Sequence, residues 1–245
     1  MAKPIIEAHR GANAETPENT LAAFKRAIVL GAASIELDVR LSSDGTLMVI
    51  HDATVDRTTD GTGAVATKTA AELYSLDAGV RRAAEFAGEP VPTFESALEL
   101  ISATSLGLNI EIKRQPDEAA AVAEVVRLLR RFDKLDDYVI SSFHLDILLA
   151  VRALAPTLGL ALLGKVETVM PLALEHQLPW IHCGNPTLTR DHVVAARQQG
   201  LHVGVWTVND PLRVAFWAGA GVERIITDNP RPMLAIDFPC AVESA

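Results

Sequence analysis

Four short polar clusters in the first half of the chain contain residue types that suit phosphoryl chemistry. They are His9-Arg10-Gly11, Glu36-Leu37-Asp38, His51-Asp52 and Glu111-Ile112-Lys113. Together they supply histidines for proton transfer, carboxylates for binding a metal ion, and cations for binding phosphate oxygens. The clusters therefore predict a metal-assisted site for cleaving a phosphate ester.

Each cluster ends, or directly follows, an apolar run typical of a β-strand: PIIEA, ASIELDV, TLMVI and LGLNIEI. Side chains on a strand alternate between faces, so Glu36 and Asp38 point the same way, and Glu111 does so with Lys113. Carboxylates that meet at neighbouring strand ends repel one another unless a cation or protonation relieves them. Their oxygen ligands favour Mg²⁺ or Ca²⁺ over Zn²⁺. Ion pairs with Arg and Lys that close the rim without a metal are the alternative.

The two histidines, His9 and His51, leave three interpretations open: zinc ligands, structural hydrogen-bonding groups, or a general acid and base around a scissile bond. Zinc is disfavoured because the chain has no His-x-His or His-Glu-x-x-His spacing. Arg10 could bind two phosphate oxygens, and Lys113 adds a point charge. Asp52 either orients His51 or caps a turn, and its position in the sequence fits both roles.

Strand-like and helix-like segments alternate along the whole chain. Strands are predicted at 4–8, 33–39, 46–50, 106–112, 137–142, 158–163, 180–183, 201–207 and 224–227. Helices are predicted at 19–30, 93–102, 117–132, 145–154, 167–176, 190–199 and 211–218. With 46–50 counted as an extension of the second strand, the alternation gives eight βα units, enough to close an α/β TIM (β/α)8 barrel. An open doubly wound sheet is the alternative, but no glycine-rich turn follows the first strand.

One segment interrupts this alternation within a single predicted domain, 1–245. Residues 53–91 are rich in Gly and Thr, and the pattern Thr69-x-x-Glu72 predicts one short helix there. Because long insertions at strand ends usually have a function, we expect a small subdomain or lid over the site. A surface embellishment is the alternative.

Composition limits the partners and the location of the protein. The net charge of −9 argues against nucleic acid or an anionic membrane surface as a partner. No apolar run is long enough for stable membrane insertion, and no signal peptide is expected before His9, so a cytoplasmic location is predicted. Cys183 and Cys240 are isolated, which predicts two reduced structural thiols. A homo-oligomer is left open.

The ordered segments AHRG, PENTLAAF, IELDVRLSSDGTLMVIHD, NIEIK, WTVN and IITDNP resemble the glycerophosphodiester phosphodiesterase family, of the cytoplasmic bacterial type. The resemblance runs from about residue 5 to about residue 234. It implies a TIM barrel with a small insertion after the second strand. It also implies hydrolysis of small soluble glycerophosphodiesters, such as glycerophosphocholine or glycerophosphoethanolamine, to glycerol 3-phosphate and an alcohol, within lipid and glycerol metabolism.

By position, the resemblance assigns a role to each residue of the predicted site. The catalytic acid/base pair is His9 and His51, and the ligands of one divalent cation, Mg²⁺ or Ca²⁺, are Glu36, Asp38 and Glu111. Arg10 and Lys113 match phosphate contacts, and Trp206 lies near the substrate, beside Asn209. From their positions alone, Asp228 is interpreted as a cap of the last βα turn with an indirect contribution to the site. His182 either faces the barrel interior or, as we prefer, is a hydrogen-bonded core histidine.

Two other functions stay open, and one segment departs from the family pattern. A related barrel enzyme of the phospholipase D type, acting on a lysophospholipid or sphingolipid, lacks support from exposed apolar or basic segments. A non-catalytic phosphodiester-binding barrel is disfavoured because both histidines and all three carboxylates are present. After Leu76-Asp77-Ala78-Gly79 the family often has a small residue and an aromatic, whereas this chain has Val80-Arg81-Arg82. These arginines are either surface residues or contacts for the alcohol moiety.

Overall fold

The computed structural model describes residues 3–238 and shows strands and helices that alternate along the chain. The strands are β1 Ile5–Ala8, β2 Ser34–Leu41, β3 Leu47–Val49, β4 Gly107–Ile112, β5 Val139–Ser142, β6 Gly159–Gly164, β7 Trp180–Gly184, β8 His202–Trp206 and β9 Arg224–Thr227. The helices are α1 Leu21–Leu30, α2 Ala70–Tyr74, α3 Phe94–Ser102, α4 Glu118–Arg131, α5 Leu145–Leu154, α6 Val166–Glu175, α7 Arg190–Gln198, α8 Pro211–Ala220 and α9 Pro230–Leu234. Short 3₁₀ turns cover Val65–Thr67 and Ala84–Phe86.

The strands form one closed parallel barrel, which confirms the predicted TIM fold. Their order is β1-β9-β8-β7-β6-β5-β4-β2-β3, and an additional pairing of β1 with β2 closes the ring. Every pairing within the ring is parallel. The C-terminal ends of its eight strands therefore share one mouth, where sites of this fold lie.

The strand β3 lies outside this ring, so the prediction that it extends β2 was wrong. It pairs antiparallel with β2, with Val39 opposite Val49. Gly45, with φ +81°, takes part in the turn that reverses the chain. The reversal returns the backbone to the level of Asp38, whose carbonyl oxygen accepts from the Ile50 amide at 3.0 Å. Residues after β3 therefore start at the barrel mouth.

Alternating side chains give β2 an apolar outer face and a polar inner one. On β2, the outward residues Ile35, Leu37 and Val39 are fully buried and belong to the main apolar core. The helix α4 covers the barrel with apolar residues such as Val125 and Leu129, while its arginines face solvent. This packing fixes the direction of the inward side chains, among them Glu36.

The insertion, residues 53–91, has a small apolar core of its own. The predicted capping box is present, since Thr69 caps α2 and the Glu72 side chain accepts from the Thr69 amide. A separate apolar cluster beside the barrel contains Met48, Ile50, Val55, Val65, Leu73, Ala78 and Val91. The insertion is thus a packed unit anchored on β3, and its action as a lid stays a prediction.

Buried polar groups fill the barrel below its mouth. Glu7 accepts hydrogen bonds from Ser34 Oγ at 2.7 Å and Asn109 Nδ2 at 2.9 Å, and it pairs with Arg224. His182 is fully buried, but neither ring nitrogen has a hydrogen-bond partner within residues 3–238, which contradicts its interpretation as a hydrogen-bonded core histidine. Burial lowers the pKa of His182 to about 3 and keeps the ring neutral. Position in the sequence does not reveal which partners a buried ring will find.

Two remaining sequence predictions concern thiols and membranes. Cys183 is buried and free, and burial raises the pKa of its thiol to about 12, as expected for an inert structural residue. Cys240 lies outside the described residues. Within residues 3–238, the structure contains no helix with the length and apolarity needed to cross a bilayer.

Candidate active site

A cavity of about 150 Å³ opens at the C-terminal mouth of the barrel. Among the residues that line it are most members of the site predicted from the sequence: His9, Arg10, Glu36, His51, Glu111, Lys113 and Trp206. The remaining member, Asp38, contacts Lys113 and Arg10 from below, with only 1% of its surface exposed. Barrel closure therefore gathers residues that are far apart in the sequence around one space.

Three carboxylates converge at one edge of the cavity. Glu36 and Asp38 come from β2, and Glu111 comes from β4, where it lies directly opposite Asp38 in the sheet register. One oxygen from each carboxylate lies within 4.8 Å of one from each of the others. All three side chains are nearly inaccessible to solvent. An oxygen-only cluster of this size suits a hard divalent cation.

Two cations share the negative charge of this cluster. Lys113 Nζ lies 2.8 Å from Asp38 Oδ1 and 2.5 Å from Glu111 Oε1. Arg10 Nε lies 3.4 Å from Asp38 Oδ2. Burial opposes ionisation of Asp38, but these two cations outweigh it and hold the pKa of Asp38 well below its usual range.

The other two carboxylates titrate in the opposite direction. Burial and the charges of Asp38 and Glu111 raise the pKa of Glu36 well above its ordinary value. Burial and the charge of Asp38 likewise raise the pKa of Glu111. The cluster thus has more negative charge than Arg10 and Lys113 neutralise. A bound divalent cation would correct this imbalance, so the residues fit such an ion.

The turn after β1 positions His9 and Arg10. Arg10 and Gly11 adopt positive φ angles of 54° and 81°, which let the Arg10 amide donate to Glu36 Oε2 at 2.9 Å. The Arg10 guanidinium donates to Glu18 Oε1 at 2.8 Å. Its Nε has no hydrogen-bond partner within residues 3–238. This turn therefore fixes both the backbone and the side chain of Arg10 at the mouth.

His9 is held by a carboxylate from the opposite end of the chain. A hydrogen bond of 2.6 Å joins His9 Nδ1 to Asp228 Oδ1. Asp228 also accepts from Asn13 Nδ2 at 2.8 Å and from Asn209 Nδ2 at 2.6 Å. Although burial opposes ionisation of Asp228, these donors and the His9 ring lower its pKa to about 2. The other ring nitrogen, His9 Nε2, lies 4.0 Å from Glu36 Oε2.

His51 has a similar arrangement on the other side of the cavity. Its Nδ1 forms a hydrogen bond of 2.6 Å with Asp52 Oδ1. Asp52 in turn accepts from Arg57 Nε at 2.7 Å, and this hydrogen bond is the main reason why the pKa of Asp52 falls to about 2. Burial lowers the pKa of His51 below its ordinary value, so the ring is neutral near pH 7.

Aromatic and polar groups complete the cavity. Trp206 donates from Nε1 to the His182 carbonyl at 3.1 Å and packs edge-to-face on Phe143, with ring centroids 5.5 Å apart. Asn109 and Ser141 also line the cavity, and both are almost fully buried. Within residues 3–238, Asn109 Oδ1 and Ser141 Oγ have no protein partner. The cavity therefore offers polar groups to a ligand or water beside an aromatic wall.

Sequence reasoning missed several residues that support this site. Asp228 was predicted to cap a turn and to contribute to the site indirectly, but its hydrogen bond to the His9 ring was not identified. Asn19, which donates to Asp38 Oδ2 at 2.7 Å, and Glu18 belong to the recognised segment PENTLAAF but had no assigned role. The only sequence signal for these residues was their position in the short segments IITDNP and PENTLAAF, which resemble the family. Their function depends on contacts across the barrel, which local sequence does not show.

Comparison with known proteins gives consistent matches over the whole barrel. Residues 9–231 match the sequence model of the glycerophosphoryl diester phosphodiesterase family. The chain is 38% identical over 235 residues to a glycerophosphodiester phosphodiesterase of Caldanaerobacter subterraneus, covering 95% of this chain and 97% of the relative. It is 36% identical over 230 residues to a protein of Bacillus subtilis named as a putative glycerophosphodiester phosphodiesterase, covering 92% and 94%.

Solved structures agree with these sequence matches. An Oleispira antarctica phosphodiesterase, in complex with the product sn-glycerol-3-phosphate, aligns with a TM-score of 0.91 and 31% identity, covering 95% of this chain and 96% of the other. A glycerophosphodiester phosphodiesterase from Agrobacterium tumefaciens aligns with a TM-score of 0.85 and 33% identity, covering 96% and 100%. Sequence and structure therefore point to the same group of proteins.

Proposed function

The chain belongs to the glycerophosphoryl diester phosphodiesterase family and is a phosphoric diester hydrolase, and we propose that it hydrolyses glycerophosphodiesters through two histidines and one divalent cation. Glycerophosphocholine and glycerophosphoethanolamine are the proposed substrates, with sn-glycerol 3-phosphate and an alcohol as products. One observation carries the proposal. His9 and His51, each hydrogen-bonded to a carboxylate, share a cavity with the carboxylate cluster and two cations.

The environments of the two histidines suit opposite roles in proton transfer. His51 is neutral near pH 7, and its Nδ1 is engaged by Asp52, so its Nε2 is the nitrogen that accepts a proton from the attacking oxygen. His9, held at Nδ1 by Asp228 and with Nε2 4.0 Å from Glu36 Oε2, takes the role of the general acid. It donates its proton to the oxygen that leaves phosphorus. One P–O bond forms and one breaks, and each proton returns through water.

Glu36, Asp38 and Glu111 would hold one divalent cation, Mg²⁺ or Ca²⁺. When bound there, the cation supplies positive charge that polarises a phosphoryl oxygen. Arg10, which is partly buried, and Lys113, which is buried, bind phosphate oxygens beside it, since both are donors at the same edge of the cavity. In a protein with a net charge of −9, these groups create the local positive centre that an anionic substrate needs.

The remaining lining residues would limit the substrate to a small phosphodiester. Trp206 and Phe143 form an aromatic wall against which the glycerol carbons can pack. A cavity of about 150 Å³ suits a small glycerophosphate moiety. The cytoplasmic location predicted from the sequence stays a prediction.

The test of this proposal couples release of sn-glycerol 3-phosphate from glycerophosphocholine to a dehydrogenase assay. His9→Ala and His51→Ala should each reduce kcat by at least about 100-fold while melting like the parent protein. His176→Ala, which changes a histidine at the end of α6, is the matched control and should keep full activity. Full activity in either of the first two variants would contradict the assigned roles.

The metal is tested separately. Dialysis against EDTA should abolish turnover, and Mg²⁺ or Ca²⁺ should restore it. Glu111→Gln keeps the shape of the side chain but removes one anionic ligand, so half-maximal activity should require at least about tenfold more cation. Undiminished turnover after EDTA treatment would rule out the metal while leaving the histidine roles to be judged by their own variants.

A further inference from the structure

A second cavity, of about 230 Å³, lies beside the active site. The loop after β1 contributes Glu18 to its lining, and the insertion contributes Arg57, Arg81 and Arg82. Hydrogen bonds connect its lining to residues of the active site. Glu18 binds Arg10 at 2.8 Å, and Arg57 binds the carboxylate that holds His51. The second cavity thus borders the groups that hold Arg10 and His51.

Part of the charge in this region is already neutralised. Glu18 accepts from Arg57 at 2.8 Å through each of its oxygens, in addition to its bond with Arg10. Burial opposes ionisation of Glu18, but the hydrogen bond from Arg57 and the charge of Arg10 lower its pKa overall. Arg57 also donates to Asp52. Two arginines thus face two carboxylates, and this set adds no net positive charge.

Arg81 and Arg82 are different because neither has a carboxylate at ion-pair distance in the described part of the chain. Arg81 Nε donates to the Thr59 carbonyl, and Arg82 donates to the Ala14 carbonyl. Neither forms an ion pair with any carboxylate among the residues from 3 to 238. The carbonyl contacts orient the side chains without neutralising them and leave other guanidinium N–H groups for a ligand. Two exposed arginines without a carboxylate at ion-pair distance among the described residues therefore line one cavity of an acidic protein.

We propose that this second cavity binds an anionic group, a carboxylate or phosphate, on the alcohol moiety of the diester. A guanidinium suits this role because its planar N–H groups match the oxygens of either anion. The inference rests on the proposed function, since it assigns a preference to the leaving alcohol. It also gives Arg81 and Arg82, which depart from the family pattern, a role in substrate selection.

The test compares glycerophosphoserine with glycerophosphoethanolamine, which differ only in one carboxylate. The wild-type protein should have the lower KM for glycerophosphoserine. In Arg81→Gln/Arg82→Gln this preference should fall by about tenfold through KM, with kcat for glycerophosphoethanolamine unchanged. Arg127→Gln/Arg131→Gln, which removes two exposed charges from α4, is the matched control and should keep the preference. Arg82→Lys should retain most of it, because the charge remains.

An equal loss of activity on both substrates, or an unchanged preference, would overturn the proposal and leave the arginines as structural anchors of the insertion. Two further measurements test the proposal in other ways: the first needs no variant, and the second needs no turnover. In the wild-type protein, raising KCl from 50 to 500 mM should raise KM more for glycerophosphoserine, since salt screens exposed charges. Calorimetric titration should show phosphoserine binding about tenfold tighter than phosphoethanolamine. Equal binding refutes the anion site, whereas tighter phosphoserine binding without any hydrolysis refutes only the proposed function.

Discussion

Replacing Asp228 by asparagine isolates what the carboxylate does for His9. The substitution keeps the shape of the side chain but removes its charge. Asp228 accepts from His9 at 2.6 Å and from the amides of Asn13 and Asn209, so donors approach both of its oxygens. An asparagine offers one oxygen and one NH₂ group, and this NH₂ group must face a donor on one side.

The expected magnitude follows from these contacts. A charge-assisted hydrogen bond is about twice as strong as a neutral one, so the His9 contact alone loses about 1 kcal/mol, or about fivefold in rate. The mismatched NH₂ group costs a further 1–2 kcal/mol, approximately, in positioning the ring. We therefore expect Asp228→Asn to lower kcat by about 30- to 160-fold, with KM within about twofold of the parent value.

The assay measures kcat and KM for glycerophosphocholine across pH 5–9. In Asp228→Asn kcat should be lower than in the parent protein at every pH in this range, because the neutral side chain no longer accepts from His9 and from both asparagine amides together. Asp146→Asn, which breaks an exposed pair with Arg114, should reproduce the parent profile. A variant with unchanged kcat and pH profile would refute the reasoning, as would a loss confined to KM.

Two further predictions concern stability. Gly11 and Gly45 both have φ +81°, but a Cβ at Gly11 would lie 2.6 Å from Ala23 Cβ, whereas nothing lies within 4 Å at Gly45. Gly45→Ala should therefore cost about 1–2 kcal/mol of unfolding free energy, and Gly11→Ala about 1–3 kcal/mol more, as measured by urea denaturation; equal losses would contradict the packing argument. The pKa of Asp52 is lowered to about 2, mainly by its hydrogen bond from Arg57. Its contribution to stability is therefore complete above about pH 4 and is lost as pH falls toward 2. Asp52→Asn should flatten the melting temperature across this interval, and a profile as steep as the parent's would exclude the contribution.

The local pattern of apolar and polar residues was sufficient to predict most of the strands, helices and the barrel fold. Helix α5 begins and ends where its apolar periodicity predicted, and the alternation of strands and helices led to the correct barrel. The strand β3 was misjudged because periodicity does not reveal whether a strand continues its predecessor or reverses beside it. In the structure, the turn at Gly45 reverses the chain, so that β3 pairs antiparallel with β2. It also placed His51 at the mouth, since β3 returns the chain to the level of Asp38.

The sequence by itself determined the residue types of the site and which of them lie on the same face of a strand. Glu36 and Asp38 must share a face because a strand alternates every residue, and this holds before any tertiary contact forms. Only the tertiary structure decided which groups would be partners. Asp228 meets His9 because β9 pairs with β1, and Glu18 meets Arg57 because the insertion packs beside the mouth. Those contacts, and the pKa values that depend on them, arise from distances across the closed barrel, and spacing along the chain does not contain them.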